Sequence, residues 1–215
     1  MNIYLKPGEY LPNTTKEALK NAGNNLSRTR NYSNYISELA NIFGKPIPRR
    51  IGLREKYFLG GLIEGDGSIN VSVKKLRNAA HGIHIDPEFS ITQHTNSVEL
   101  LILACCFFQT GRIRHKKGSK ATLFFVIDNR DSLENKVVPF YKKYINPIGS
   151  AVKTTRLQRF EKILAHIREN HQQDLDILVN EMLPLWDSMR MQTGQRNQTF
   201  ASLAQAQAYA RNPRS

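Results

Sequence analysis

The chain is short of cysteine, of acidic residues and of long apolar runs, and each shortage narrows what it can do. Two of its 215 residues are cysteine, Cys105 and Cys106. They are adjacent, and neighbouring cysteines seldom pair with each other, so no disulfide framework is expected and a reducing compartment fits. Both read as small core residues. No apolar stretch is long enough to cross a bilayer. The first ten residues hold no signal-peptide core and are not rich in arginine, so a soluble protein with no membrane partner is expected. Low-complexity sequence is absent, as are a Ser–His–Asp order and a glycine-rich phosphate cradle. Asp and Glu number 18 against 31 Lys and Arg, leaving a formal net charge of +13. A folded chain this basic usually meets a polyanion, nucleic acid first of all. With 40% of residues apolar it can bury a substantial core.

Three segments are expected: a helical extension over 1–52, a core over 53–170 and a second helical extension over 171–215. In the first, Thr14-Thr15-Lys16-Glu17 has cap chemistry and opens a short helix, which Gly23-Asn24-Asn25 breaks. A second helix runs over 33–43 and ends at Gly44, Pro46 and Pro48. The core opens with a helix over 53–64, stopped by Gly65-Asp66-Gly67. Residues 68–74 then alternate, with Ile69, Val71 and Val73 facing one way and Ser68, Asn70, Ser72 and Lys74 the other. A second strand covers 83–93, with a bulge or edge position at Asp86-Pro87. An apolar helix over 98–108 precedes a hairpin of 112–116 and 121–127. A helix capped near Asp128 or Asn129 and bent at Pro139 comes next, then an amphipathic helix over 153–168. Helices over 174–191 and 203–210 close the chain. The core therefore reads helix, strand, strand, helix, strand, strand, helix, helix. That is an α+β domain, with a four-stranded antiparallel sheet carrying helices on one face and a free polar face on the other.

The chemistry concentrates at one junction. Gly61 and Gly65 are four apart on the first core helix, so one helix face is small enough for close approach by a second helix. If two copies cross about a twofold axis, with Leu59, Gly61, Leu62 and Gly65 at the contact, each delivers one Asp66 to the same place. A carboxylate at a helix C-terminus opposes the macrodipole, and two facing carboxylates repel. A hard divalent cation relieves both, and takes oxygen ligands from carboxylates, carbonyls, phosphate and water. On the polar sheet face, Arg112, Arg114 and Lys116 share one parity, with Thr122 beside them. Ser90 and Thr92 lie across from Ser68, Asn70, Ser72 and Lys74. Short donors and acceptors mixed with cations suit the major groove, which admits a two-stranded ribbon. Other candidates read as bland. His81 and His84, three apart on a strand, face opposite sides and do not share a metal. His166 and His171 read as surface residues, and Trp186 with Met182 and Met189 as helix packing.

Leu59-Gly60-Gly61-Leu62-Ile63-Glu64-Gly65-Asp66-Gly67, continued by Ser68-Ile69, resembles the nine-residue motif of the LAGLIDADG homing endonucleases. Gly60, Glu64 and Gly65 depart from it conservatively. One copy per chain resembles the subclass that acts as a homodimer. The resemblance implies a site-specific endonuclease that cuts both strands of a long, pseudo-palindromic DNA site with Mg²⁺, or with Mn²⁺ or Ca²⁺ in its place. It implies that Asp66, with Gly65, holds the metal. The segment Phe89-Ser90-Ile91-Thr92-Gln93-His94-Thr95 is similar to the family's second-strand end, which makes Gln93 an active-site residue. Lys153 aligns with the family's active-site lysine. Lys6-Pro7-Gly8-Glu9, Asp86-Pro87-Glu88-Phe89, Thr110-Gly111-Arg112-Ile113-Arg114-His115-Lys116 and Ile127-Asp128-Asn129-Arg130 resemble one branch. Its members are encoded in chloroplast group I introns and directed at the large-subunit ribosomal RNA gene. The rival reading is a non-catalytic RNA-binding maturase on the same fold; the intact Asp66 favours cleavage.

Overall fold

The computed structural model describes residues 3–190 and 199–213. The strands β1 (Gly67–Lys75), β2 (Ile83–His94), β3 (Arg112–His115) and β4 (Thr122–Ile127) form one antiparallel sheet in the order β1-β2-β4-β3. The helices are α1 (Asn13–Thr29), α2 (Tyr32–Phe43), α3 (Leu53–Asp66), α4 (Val98–Phe108), α5 over 130–145, α6 (Ala151–Arg168), α7 over 175–188 and α8 (Leu203–Arg211). The chain divides into two compact units, one of residues 1–68 and 89–148 and the other of 69–88 and 149–215.

In the first unit, β2 alternates without interruption. Phe89 and Ile91 are buried on one parity, and half-exposed Ser90 and Thr92 lie on the other. Phe89, Phe108, Phe125 and Tyr141 make an aromatic cluster, with Phe89 edge-on to the other three rings. Leu59 and Ile63 of α3 are fully buried, because 100° per residue brings positions four apart onto one face. The neighbouring helix comes close enough that a Cβ at Gly60 would lie 2.9 Å from the Tyr144 carbonyl, which explains glycine there instead of alanine. Within α5, wide π-type turns over Leu133–Val137 and Tyr141–Ile145 flank Pro139 and absorb its missing N–H. Asn129 caps this helix by accepting from the Ser132 N–H at 2.9 Å.

Two expectations fail here for physical reasons. Gly23-Asn24-Asn25 does not break α1, which runs on to Thr29 before Arg30 adopts a left-handed cap. Packing of buried Thr15, Leu19 and Ala22 outweighs the local propensity. Pro87 makes no break in β2 either. Pairing with β4 covers Phe89–His94, so Pro87 lies beyond that ladder and its lack of an N–H is harmless there. The edge strand β3 is covered rather than left open. Ile113 N–H donates to Tyr35 Oη at 2.8 Å, and the Tyr32 hydroxyl donates to the Thr110 carbonyl.

In the second unit, α6 buries Leu157, Phe160, Ile163 and Leu164, while Ile167 is only half-buried. Trp186, Met182 and Met189 are buried as packing. The helix expected over 174–191 is helical to Ser188, and Met191 lies outside the described residues. His166 and His171, expected on the surface, meet Nδ1 to Nδ1 at 3.0 Å in a half-buried pair.

Candidate active site and nucleic-acid interface

Asp66 ends α3, exposed, with its side chain beyond the last turn. Gln93 Nε2 donates to Asp66 Oδ2 at 2.6 Å. Gln93 shares the parity of buried Phe89 and Ile91, so the strand carries it past the core to the helix end instead of outward with Thr92. Gly67 N–H closes the helix on the Ile63 carbonyl. The Gly65 carbonyl lies one residue from the end, and the residue four further on, Ile69, is already strand, so no intrahelical donor reaches it. One carboxylate and an adjacent carbonyl suit a hard cation but do not complete its shell. Among the described residues no cluster of three or more His, Cys, Asp or Glu could hold a metal alone.

The outer face of α3 is apolar and open. Leu53, Tyr57 and Phe58 are 61%, 51% and 56% exposed. Cβ atoms at Gly61 and Gly65 would meet nothing within 4 Å, and Leu62 is half-buried. Leu59 is the exception to the expected contact set: it points into the core, and Tyr57 and Phe58 present the large apolar surface instead.

The strand registers fix the outward face of the first unit. Ser90 pairs with Val126 and Val126 with Arg112; Thr92 pairs with Phe124 and Phe124 with Arg114. His94 pairs with Thr122, and Lys116 N–H donates to the Thr122 carbonyl at 2.8 Å. Thr122, Arg112, Arg114 and Lys116 therefore share a face, as the alternation implies. Arg114 and Lys116 are exposed, whereas Arg112 is engaged by Asp128. Phe124 and Val126 lie on this same face. The polar residues of β3 had suggested no apolar patch there, although counting parity from Thr122 would have located both.

In the second unit, Ser68's strand continues with Asn70, Ser72 and Lys74 on the outward parity. Lys74 is ion-paired with Asp86. Asn70 Oδ1 accepts from Arg156 at 2.7 Å, and the same guanidinium donates to the carbonyls of Ile69 and Met189. Arg156 had no distinguishing sequence signal, being one of several cations on α6. Lys153 lies in the first turn of α6, where its N–H donates to Ser150 Oγ at 3.3 Å.

Comparison with known proteins places this geometry. Residues 59–164 match the LAGLIDADG endonuclease family. The chain is 46% identical over 211 residues to the DNA endonuclease I-CeuI of Chlamydomonas moewusii, covering 98% of this chain and 96% of that one. The chain belongs to the LAGLIDADG homing endonuclease family. As such it is a DNA-cleaving enzyme. The solved structure of group I intron-encoded I-CeuI complexed with DNA superposes with a TM-score of 0.92 at 44% identity, over 96% of this chain and all of that one. The archaeal intron-encoded homing endonuclease I-Vdi141I, also complexed with DNA, is similar at 26% identity with a TM-score of 0.64, over 74% of this chain and 94% of that one. In this LAGLIDADG chain the motif helix is α3, and its final acid is the one Gln93 engages.

Proposed function

We propose that this LAGLIDADG endonuclease works as a homodimer in which two α3 helices cross along their Gly61–Gly65 faces and bring two Asp66 carboxylates together. Each subunit reads one half of a pseudo-palindromic duplex through its outward sheet face. Asp66 and the Gly65 carbonyl hold one side of a divalent cation, with Mg²⁺ the expected ion. Bound there, a divalent cation lowers the charge on the scissile phosphate and stabilises the attacking and leaving oxygens. Gln93 fixes the Asp66 carboxylate and positions water beside it. Lys153, first turn of α6, is assigned to transition-state charge. Ser68, Asn70, Ser72, Lys74, Ser90, Thr92, Arg112, Arg114, Lys116 and Thr122 are the candidate DNA contacts, Arg114 and Lys116 foremost because they carry no partner acid among the described residues. A target at an intron-insertion site in a large-subunit ribosomal RNA gene, and action in a chloroplast, follow from the sequence resemblance.

The observation that carries this reading is the Asp66–Gln93 hydrogen bond at the end of an open, glycine-bearing helix face. The test is cleavage of a linear duplex carrying the intron-free junction, with Mg²⁺ and with chelator. Two defined double-strand products in Mg²⁺ alone support it. Binding of intron RNA with no cutting of this duplex would favour the maturase reading instead.

A further inference from the structure

We propose that the face of α1 turned toward β3 is a clamp for the sugar–phosphate backbone of the DNA whose bases β3 reads; this rests on the DNA-reading role of the sheet given above. A cleft of about 290 Å³ separates α1 from β3. Its helix side is formed by Lys16, Lys20, Gly23, Asn24 and Ser27, with Leu19 at its base, and its strand side includes Arg114. Positions 16, 20, 23, 24 and 27 make one stripe along a helix.

That stripe is built unlike the adjacent, buried stripe of Thr15, Leu19 and Ala22. It holds cations at one end and small polar side chains at the other. Glycine is the poorest helix former after proline, and asparagine is a weak one. Packing inside the chain does not require glycine at Gly23, where a Cβ would meet nothing within 4 Å. The residues that mimic a helix break are thus kept inside a helix, on an open face, beside a strand that faces the duplex. A close-approaching backbone outside the chain accounts for all three facts.

Charge agrees with this. Lys16 and Lys20 take no carboxylate partner among the described residues, whereas Lys74 and Arg112 each hold one. They stand one turn apart, roughly 6 Å along the helix axis, while a DNA strand carries a phosphate about every 3.4 Å of its own axis. Two neighbouring phosphates are therefore within reach of the pair. Asn24 and Ser27 add neutral donors of the kind that contact phosphate and sugar oxygens. Such contacts fix register without reading sequence.

The experiment measures equilibrium binding to the target duplex and to a scrambled duplex across a salt series. It compares the wild-type protein, Lys16→Gln/Lys20→Gln, and the charge-matched control Lys142→Gln/Lys143→Gln on α5. In the clamp variant, which removes two lysines from each subunit of the dimer, the slope of log affinity against log salt should flatten by about two to four. Affinity should fall by the same factor on both duplexes, so the preference for the target is kept. The control should hold the wild-type slope. A clamp variant with the wild-type slope, or a control that flattens equally, overturns the clamp while leaving the endonuclease reading intact. A wild-type protein that shows no salt-dependent duplex binding overturns both.

Discussion

Gln93 Nε2 donates to Asp66 Oδ2 at 2.6 Å, tying the end of the second strand to the end of the motif helix. Partners that orient a metal-binding carboxylate are commonly worth 10- to 100-fold in activity. Gln93→Ala is expected to lower the single-turnover cleavage rate by about that factor while leaving DNA affinity within about twofold. A variant that loses affinity and keeps its rate would place Gln93 in recognition instead.

The open α3 face predicts the assembly. Wild-type protein should sediment as a dimer at micromolar concentration without DNA. Phe58→Glu and Gly65→Val should give monomers with unchanged far-UV circular dichroism, because both sites face outward. Gly60→Ala should behave oppositely: its Cβ meets the Tyr144 carbonyl at 2.9 Å, so the chain itself loses thermal stability. Monomeric wild-type protein would remove the basis for pairing two Asp66 groups.

Arg114 and Arg112 share a face but not a state, since Asp128 holds Arg112. An unpaired arginine in the major groove reads guanine by two hydrogen bonds. Arg114→Ala should cost about 1–3 kcal/mol of binding per half-site and relax preference at one position in each. Selection from randomised targets checks this. Uniform loss of affinity with preference intact would move β3 out of the groove.

Burial, with Cys105 close by, raises the Tyr35 and Tyr32 hydroxyls above their ordinary range, and burial raises the Cys105 thiol. These groups stay protonated in the fold after the unfolded chain would have released them. Their contribution is complete below the unfolded values, about 8.5 for Cys and 10 for Tyr, and is lost as pH rises beyond those values toward the folded ones. Thermal melts should be insensitive to these groups at pH 6–8 and fall above about pH 9, by up to about 1.4 kcal/mol per pH unit for each group. Cys105→Ala should flatten the earliest part of that fall. Tyr35→Phe should cost about 1–3 kcal/mol at neutral pH, because it strands the buried Ile113 N–H.

Local pattern made much of this architecture legible. The alternation from Ser68 to Lys74 and from Ile83 to Gln93, and the apolar run from Val98 to Phe108, each map onto a single element. The motif residues pointed directly to Asp66, and the strand-end resemblance to Gln93. What escaped depended on distant partners. Leu59 turns inward because α3 packs between core and open face, and a motif alone does not say which face is which. Gly23 stays helical because Leu19 and Ala22 are buried beside it. Asn70's partner Arg156 lies 86 residues away on α6, beyond the reach of any periodicity.

The central claim is that Asp66 does the chemistry while the sheet supplies the affinity. Asp66→Asn keeps size and nearly keeps shape but removes the charge that we propose ligates a cation. Binding and single-turnover cleavage of the target duplex in Mg²⁺, measured on the same preparation, test the claim most directly. The account predicts DNA affinity within a few-fold of wild type and no detectable cleavage. A variant that binds equally well and still cuts both strands at the wild-type rate would contradict it.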